Sequence, residues 1–317
     1  MTMNIHQPVM LNEVLESLQP QDNAVYIDGT FGRGGYSRAI LNHAQCRLLA
    51  IDRDPDAIAA GQPLVDEMDG RFLLKEGPFS SLSDLAAQVG FGQVDGIVFD
   101  LGLSSPQLDE ADRGFSFRHD GPLDMRMEKS GRDAADLINT ADERDLANII
   151  YTYGEERASR RIARAIVTAR KESPITRTKE LAKIIQSVMP RPKPGQIDPA
   201  TRTFQAIRIH INEELREIEA AMQAAEIALK PNGRLVVVSF HSLEDRIIKT
   251  FMQTHAGHAP RPSRHLPDIT PEPASFFLPS RKPILPSEDE TLANPRARSA
   301  KLRLAIRTDA PVMKEVA

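Results

Sequence analysis

DGTFGRGG, Asp28 to Gly35, follows directly on the apolar run Ala24-Val25-Tyr26-Ile27, and its reading decides the rest of the chain. A short apolar strand that stops at an acid and enters four glycines is how a nucleotide-type ligand is received at the carboxyl edge of a parallel sheet. Glycine serves there because it accepts positive φ in a tight turn and, lacking a β-carbon, lets a ligand approach the backbone. A dinucleotide fingerprint starting at Gly32 would need glycine where Ser37 stands, and the Gly-Lys-Ser/Thr ending of a P-loop is missing. A carboxylate just before the glycines repels an anion and suits a ligand with a positive centre. S-adenosylmethionine has two such centres, a sulfonium and an ammonium. The next apolar run, Arg47 to Ile51, ends in Asp52, at the distance along the chain where an acid accepts both ribose hydroxyls of an adenosine ligand. Asp28, the glycines and Asp52 together therefore read as an S-adenosylmethionine site, ahead of a nicotinamide site or a plain strand-turn-helix junction.

At 317 residues, with 41% hydrophobic and 26% charged residues, the chain has ordinary globular composition and enough material for one large domain or two modest ones. The single cysteine, Cys46, cannot form an internal disulfide and lies beside an apolar strand, which points to a buried thiol in a reducing, cytoplasmic setting. No apolar run approaches the roughly 18 residues of a membrane helix, and no export signal opens the chain. The net charge of -4 hides a segregation: Arg157 to Arg208 holds 13 Lys or Arg against 3 Asp or Glu, +10 against -14 for the remainder. A concentrated basic surface on an otherwise acidic chain is the electrostatic footprint of nucleic-acid phosphate, although it is also met as a solvated face.

Along the chain, Pro8 to Leu18 has helical periodicity, Tyr36 to Leu41 continues the glycine loop as a helix, and Asp54-Pro55 caps another. Arg71 to Leu74 reads as a third strand, followed by a turn that ends in Phe79, an aromatic placed to lie against an adenine or to pack in the core. Val94 to Phe99 is the fourth strand and delivers Asp100-Leu101-Gly102-Leu103-Ser104-Ser105-Pro106-Gln107 to the same edge. In a doubly wound sheet the tip of the fourth strand adjoins the first. The next strong β run, Arg234 to Phe240, comes only after a long interval, so something is inserted. That interval holds helical patterns at Asp142 to Tyr151, Glu155 to Lys171 and Thr178 to Met189. In the second of these, Ala158, Ile162, Ile166 and Ala169 oppose Arg157, Arg160, Arg161, Arg164 and Lys171. Thr203 to Lys230 reads as one long helix stopped by Pro231-Asn232-Gly233, Ser242 as a helix cap, and His241 as either a base or a loop histidine. Gly257 to Pro295 is expected to be extended, with one strand near Phe276 to Ile284, and Lys301 to Arg307 to close the sheet. The expected fold is α/β, a doubly wound sheet domain (1–107 and 206–317) interrupted by an inserted helical substrate domain (108–205).

These stretches, together with LLAIDRDP (Leu48 to Pro55), GPFS (Gly77 to Ser80), RGFSFRHDGPLDMRM (Arg113 to Met127), TYGEERASRRIARAI (Thr152 to Ile166), TRTKELA (Thr176 to Ala182), TRTFQAIRI (Thr201 to Ile209), SFHSLEDRI (Ser239 to Ile247) and NPRARSAKLR (Asn294 to Arg303), closely resemble the bacterial ribosomal RNA small-subunit methyltransferase H (MraW) family. The similarity runs from His6 to about Arg307 in the family's motif order. It implies a class I methyltransferase, Rossmann-like, that uses S-adenosyl-L-methionine to methylate the exocyclic N4 amine of one cytidine in the decoding region of 16S ribosomal RNA. Carried over by match, the donor would contact Gly34, Gly35, Tyr36, Asp52, Phe79, Asp100 and Gln107; Gln107 comes from the resemblance alone. Tyr36 stands where family members often have His, so contact there is expected through the backbone. The helical insertion would face the RNA, with Asp124, Arg126, Arg202, Phe204 and Arg208 as candidates; Phe204 would stack a base or else pack in the core.

Because cytosine's amine is a weak nucleophile, acceptors at the strand tip, the Asp100 carboxylate and the carbonyls of Leu101 to Ser104, are expected to hold its protons and aim its lone pair. Asp100 acts there as a base or as a positioning group only. The expected partner is small-subunit ribosomal RNA within the assembled ribosomal subunit, with no membrane and no metal; oligomeric state is open, a homodimer included. A non-enzymatic RNA-binding assembly factor with a relic donor pocket, and a nicotinamide-dependent dehydrogenase, are the competing readings.

Overall fold

The computed structural model describes residues 8–193, 195–258 and 273–313. The chain divides into two compact units, Met1–Gly102 with Leu215–Ala317, and Leu103–Glu214. No helix among the described residues is long and apolar enough to cross a membrane.

The first unit is built on seven strands: β1 Val25–Asp28, β2 Arg47–Asp52, β3 Phe72–Glu76, β4 Val94–Asp100, β5 Leu229–Ser239, β6 Phe276–Phe277 and β7 Lys301–Arg307. Their order is β3-β2-β1-β4-β5-β7-β6, with β1 to β5 parallel and β7 antiparallel to both its neighbours. This is a doubly wound, Rossmann-like sheet. Its strands are near-continuous apolar runs because both faces are covered. Tyr26, Leu48, Ala50, Val98, Val236 and Val238 point to a face that they share with α1 (Leu11–Leu18), α2 (Gly35–His43) and α3 (Pro55–Glu67). Their alternates Ile27, Leu49, Ile51, Ile97, Phe99 and Val237 meet α4 (Leu82–Gln88) on the other.

The second unit carries α5 (Ser105–Asp109), α6 (Ala134–Thr140), α7 (Glu143–Gly154), α8 (Ser159–Ala169), α9 (Thr178–Val188) and α10 (Ala200–Ile211). Its own core includes Leu137, Ile150, Ile162, Ile166, Leu181, Ile185, Phe204 and Ile207. Because α10 contributes to that core, the joins fall at 102/103 and 214/215, not at the 107/108 and 205/206 expected from the sequence. The chain then returns to the sheet through α11 (Glu214–Ala228), and α12 (Ser242–His255) and the short α13 (Glu288–Ala293) complete it.

Three expectations change. The stretch from Thr203 to Lys230 is two helices, because Asn212 turns its side chain away to accept from Met127 N at 2.9 Å and donate to Met125 O at 2.8 Å, and Glu213 takes a left-handed conformation. Pro231-Asn232-Gly233 does not precede the fifth strand; it bulges within it, since Leu229 already pairs with Val94 before the register shifts at Gly96. Finally, β7 is not the sheet's edge. Phe276, buried against the core, holds two residues of β6 outside it, while Ile284 makes only an isolated bridge to Leu302. Residues 259–272 of the proline-rich stretch lie outside the described residues.

Candidate donor site and basic helical unit

The reversal of strand order at β1 and β4 opens the crevice of a doubly wound sheet at their carboxyl ends. Asp28 ends β1 there, almost fully buried. It accepts from Ser37 Oγ at 2.6 Å and from Thr30 N at 3.1 Å, and burial pushes its carboxyl up to about 6 despite those bonds. Thr30 in turn accepts from Asp100 N at 2.6 Å, tying the glycine loop to the tip of β4. A β-carbon on Gly29 would lie 2.3 Å from the Phe99 ring, so the loop can pass over β4 only at glycine. Gly34, with φ +73°, caps α2 and is both left-handed and closed in by Phe31; Gly35 follows as the first residue of the helix. Tyr36, next along, is buried and its hydroxyl donates to the Val9 carbonyl, which leaves the backbone as its face toward the loop.

Asp52 ends β2 and receives Gly32 N on one carboxylate oxygen at 2.7 Å and Asp54 N on the other at 2.9 Å. Arg53 N also bonds this carboxylate, whose oxygens are the acceptor type that a ribose diol needs. Burial raises this carboxyl too, against the N–H bonds from Asp54, Gly32 and Arg53. Phe79, half-buried, sits with its ring 5.6 Å from that of Phe99.

Asp100 ends β4. Its Oδ1 is buried without a hydrogen-bond partner among the described residues. Burial first, then the neighbouring carboxylates of Asp28 and Glu244, hold its carboxyl well above the usual range. A buried, unpaired carboxylate oxygen beside two further acids is costly in the free protein. It becomes favourable when a cation or an N–H donor arrives. The loop after β5 is more settled: Glu244 accepts from Phe240 N at 2.8 Å and His241 N at 3.1 Å, and His241, not Ser242, is the N-cap of α12, with Nδ1 toward Glu244 N. Asp245 binds Lys301 and Arg303 on β7, so much of the SFHSLEDRI and NPRARSAKLR pairing serves to dock α12 on the sheet.

The structure thus brings Asp28, Gly34, Gly35, Tyr36, Asp52, Phe79 and Asp100 to the carboxyl ends of β1 to β4 in one unit. Gln107 belongs to the other, where it is buried and its Oε1 accepts from Ser104 N at 3.1 Å in a capping box on α5.

In the helical unit the RNA candidates divide. Arg126 grips Asp124 through Nε and Nη2 at 2.9 and 2.7 Å and reaches Gly131 O. Those bonds outweigh the burial that alone would raise the Asp124 carboxyl, and hold it below the usual range. Arg202 is exposed, 3.7 Å from Glu156. Phe204 takes the packing alternative, 4% exposed with its ring edge-on to Phe117, and Arg208 is otherwise placed, in a two-pronged pair with Glu214 at 2.7 Å for each prong. Neither is free to meet a base, because apolar packing in one case and charge compensation in the other already use the side chain. The basic face of α8 is as its sequence implies: Ile162, Ala163 and Ile166 are buried, and Arg160, Arg161 and Arg164 are exposed.

Comparison with known proteins adds the following. A sequence profile described as the MraW methylase family matches residues 3–308. A protein of Azorhizobium caulinodans named ribosomal RNA small subunit methyltransferase H is 59% identical over 96% of this chain and 88% of its own length. One of the same name from Paramagnetospirillum magneticum is 56% identical over 98% of each. Among solved structures, an rRNA methylase from Streptococcus thermophilus aligns at 10% identity over 94% of each chain with a TM-score of 0.41, too distant to carry any argument.

Proposed function

Because this chain belongs to the MraW methylase family, we propose that it transfers a methyl group from S-adenosylmethionine to the exocyclic N4 amine of a cytidine in small-subunit ribosomal RNA. The observation that carries the reading is the meeting of three acids, the buried Asp28 and the partly buried Asp52 and Asp100, with a glycine loop at the reversal point of the sheet. That donor set fits the cofactor. Asp52 offers acceptors for a ribose diol, Phe79 an aromatic surface for adenine, and Asp28 and Asp100 negative charge for cationic centres. Bound there, S-adenosylmethionine would supply a methyl carbon on sulfur for the amine to attack, the C–S bond breaking, the thioether leaving and one amine proton being lost.

The protein's own contribution is to hold and aim. Asp100 Oδ1, unpaired and buried, accepts an N–H of the cytosine amine, so that the lone pair is drawn out of conjugation. Holding two reactants in attack geometry is worth about 7–11 kcal/mol. The same carboxylate, whose surroundings favour the protonated form, is suited to keep the proton released on transfer.

The electrostatics give a pH signature. Asp28 has its carboxyl raised from 3.8 to about 6, so the unliganded protein loses stability as pH rises through that interval, the neutral form being the one that burial favours. A cationic ligand prefers the ionised form and must expel the proton below pH 6. Calorimetry should show donor affinity rising with pH across this region, by up to about tenfold per unit, with proton release at the acid end. In Asp28→Asn the segment of that rise near pH 6 should vanish; an unchanged profile would take Asp28 out of the donor site. The reading itself is tested by transfer of labelled methyl to unmodified small subunits.

A further inference from the structure

With Phe204 buried, the helical unit presents a different aromatic to solvent: Tyr151, on α7, is 62% exposed. Its position on the helix follows from its neighbours. Tyr153 faces α10, with its ring 6.1 Å from that of His210 and its carbonyl accepting from Gln205 Nε2. Glu143 faces α8, 3.5 Å from Arg164. Two residues on a helix are about 200° apart, so Tyr151 lies on the flank away from the α10-facing Tyr153, roughly 80° round the helix from Glu143; Arg144, seven residues before it, shares that flank.

On α8, Arg160 is one turn before Arg164 and therefore on the side facing α7. Tyr151 stands three residues before the end of α7 and Arg160 is the second residue of α8, so both lie at the end of the pair where the turn residue Arg157 joins the two helices. Arg144, Arg157 and Arg160 are exposed and make no salt bridge among the described residues. Of the acids along this seam and its turn, Glu143 is taken by Arg164, Glu156 lies 3.7 Å from Arg202, and Glu155 has an interaction of its own.

We propose that the α7–α8 seam is a single-stranded RNA contact in which Tyr151 stacks an unpaired base while Arg144, Arg157 and Arg160 hold the flanking phosphates. An exposed ring costs apolar hydration unless something covers it, and the cover must tolerate, or require, three neighbouring guanidinium groups. A nucleotide supplies both a flat π face and an anion. An acidic peptide would satisfy the arginines, but it would leave the ring without a flat partner. The inference rests on the RNA methyltransferase reading and gives it a second anchor, on a surface built wholly within the helical unit.

The test is equilibrium binding of full-length protein to a labelled single-stranded RNA oligomer at several salt concentrations, with methyl transfer to unmodified small subunits measured in parallel. Tyr151→Ala should weaken oligomer binding about tenfold with an unchanged salt slope, whereas Tyr151→Phe should bind as the parent does. The double change Arg157→Gln with Arg160→Gln should lower the salt slope by roughly 0.7 per charge. Thermal melting, expected to be unchanged for these exposed positions, separates a binding effect from misfolding. Parent-like binding by Tyr151→Ala, a Phe variant as weak as the Ala variant, or an active parent that does not bind the oligomer would overturn the stacking seam and leave the methyltransferase reading standing. A parent that binds the oligomer through Tyr151 yet transfers no methyl would do the reverse.

Discussion

Asp100→Asn should lose methyl transfer by about two to three orders of magnitude at saturating donor while folding as well as the parent, or better. The two halves of that expectation have one cause. The Asp100 carboxylate has a buried oxygen with no hydrogen-bond partner among the described residues, and Asp28 and Glu244 close by, so its charge is a burden on the free protein. Asparagine keeps the shape and removes the charge, which relieves like-charge repulsion. What it cannot do is receive the proton that transfer releases. Single-turnover rates at saturating donor, set beside a thermal melt, separate the two effects. Full turnover would take Asp100 out of the chemistry; a collapse in stability would mean that its charge has a partner in the fold.

Arg208→Ala should destabilise the protein by about 3–5 kcal/mol, on the order of a ten-degree fall in melting temperature. Arg208 and Glu214 are both largely buried and meet through two 2.7 Å bonds, so removing the cation strands a carboxylate in the helical unit. Replacing both partners, Arg208→Met with Glu214→Leu, should recover most of the loss, since an apolar pair of similar volume carries no desolvation penalty. If Arg208 were instead a phosphate contact, the single variant would melt as the parent does and its RNA affinity would fall with a reduced salt slope.

The contrast between these two residues marks what could be read from the chain alone. The sheet was legible because a parallel strand is a local apolar run that ends in a turn signal, and Asp28, Asp52 and Asp100 all sit at such ends. Asp100 was therefore singled out by position as well as by type. Arg208 and the stacking alternative for Phe204 rest on residue type in a basic neighbourhood, and their actual partners, Glu214 and the Phe117 ring, are tertiary facts.

The helix break was hidden for a similar reason. The apolar period runs through Ile207, Ile211, Leu215 and Ile218 without interruption, and the chain turns only because Asn212 finds Met125 and Met127, some 85 residues earlier in sequence. The strand start at Leu229 was masked by the Pro-Asn-Gly signal, which marks a bulge as readily as a helix stop. Tyr151 did carry a sequence signal: it continues the polar stripe of Arg144 and Asn148 on α7, where a packing aromatic does not belong.

The central claim is the chemical identity of the methylated position. Unmodified small subunits, free small-subunit RNA and DNA should be incubated with the protein and labelled S-adenosylmethionine, and the nucleosides then separated by mass spectrometry. The account predicts label in N4-methylcytidine from the RNA and none from DNA, with the better RNA substrate showing whether folded subunit is required. Label in another nucleoside, or donor binding with no transfer to any of the three, would contradict it; the latter result is what a non-enzymatic assembly factor with a relic donor pocket would give.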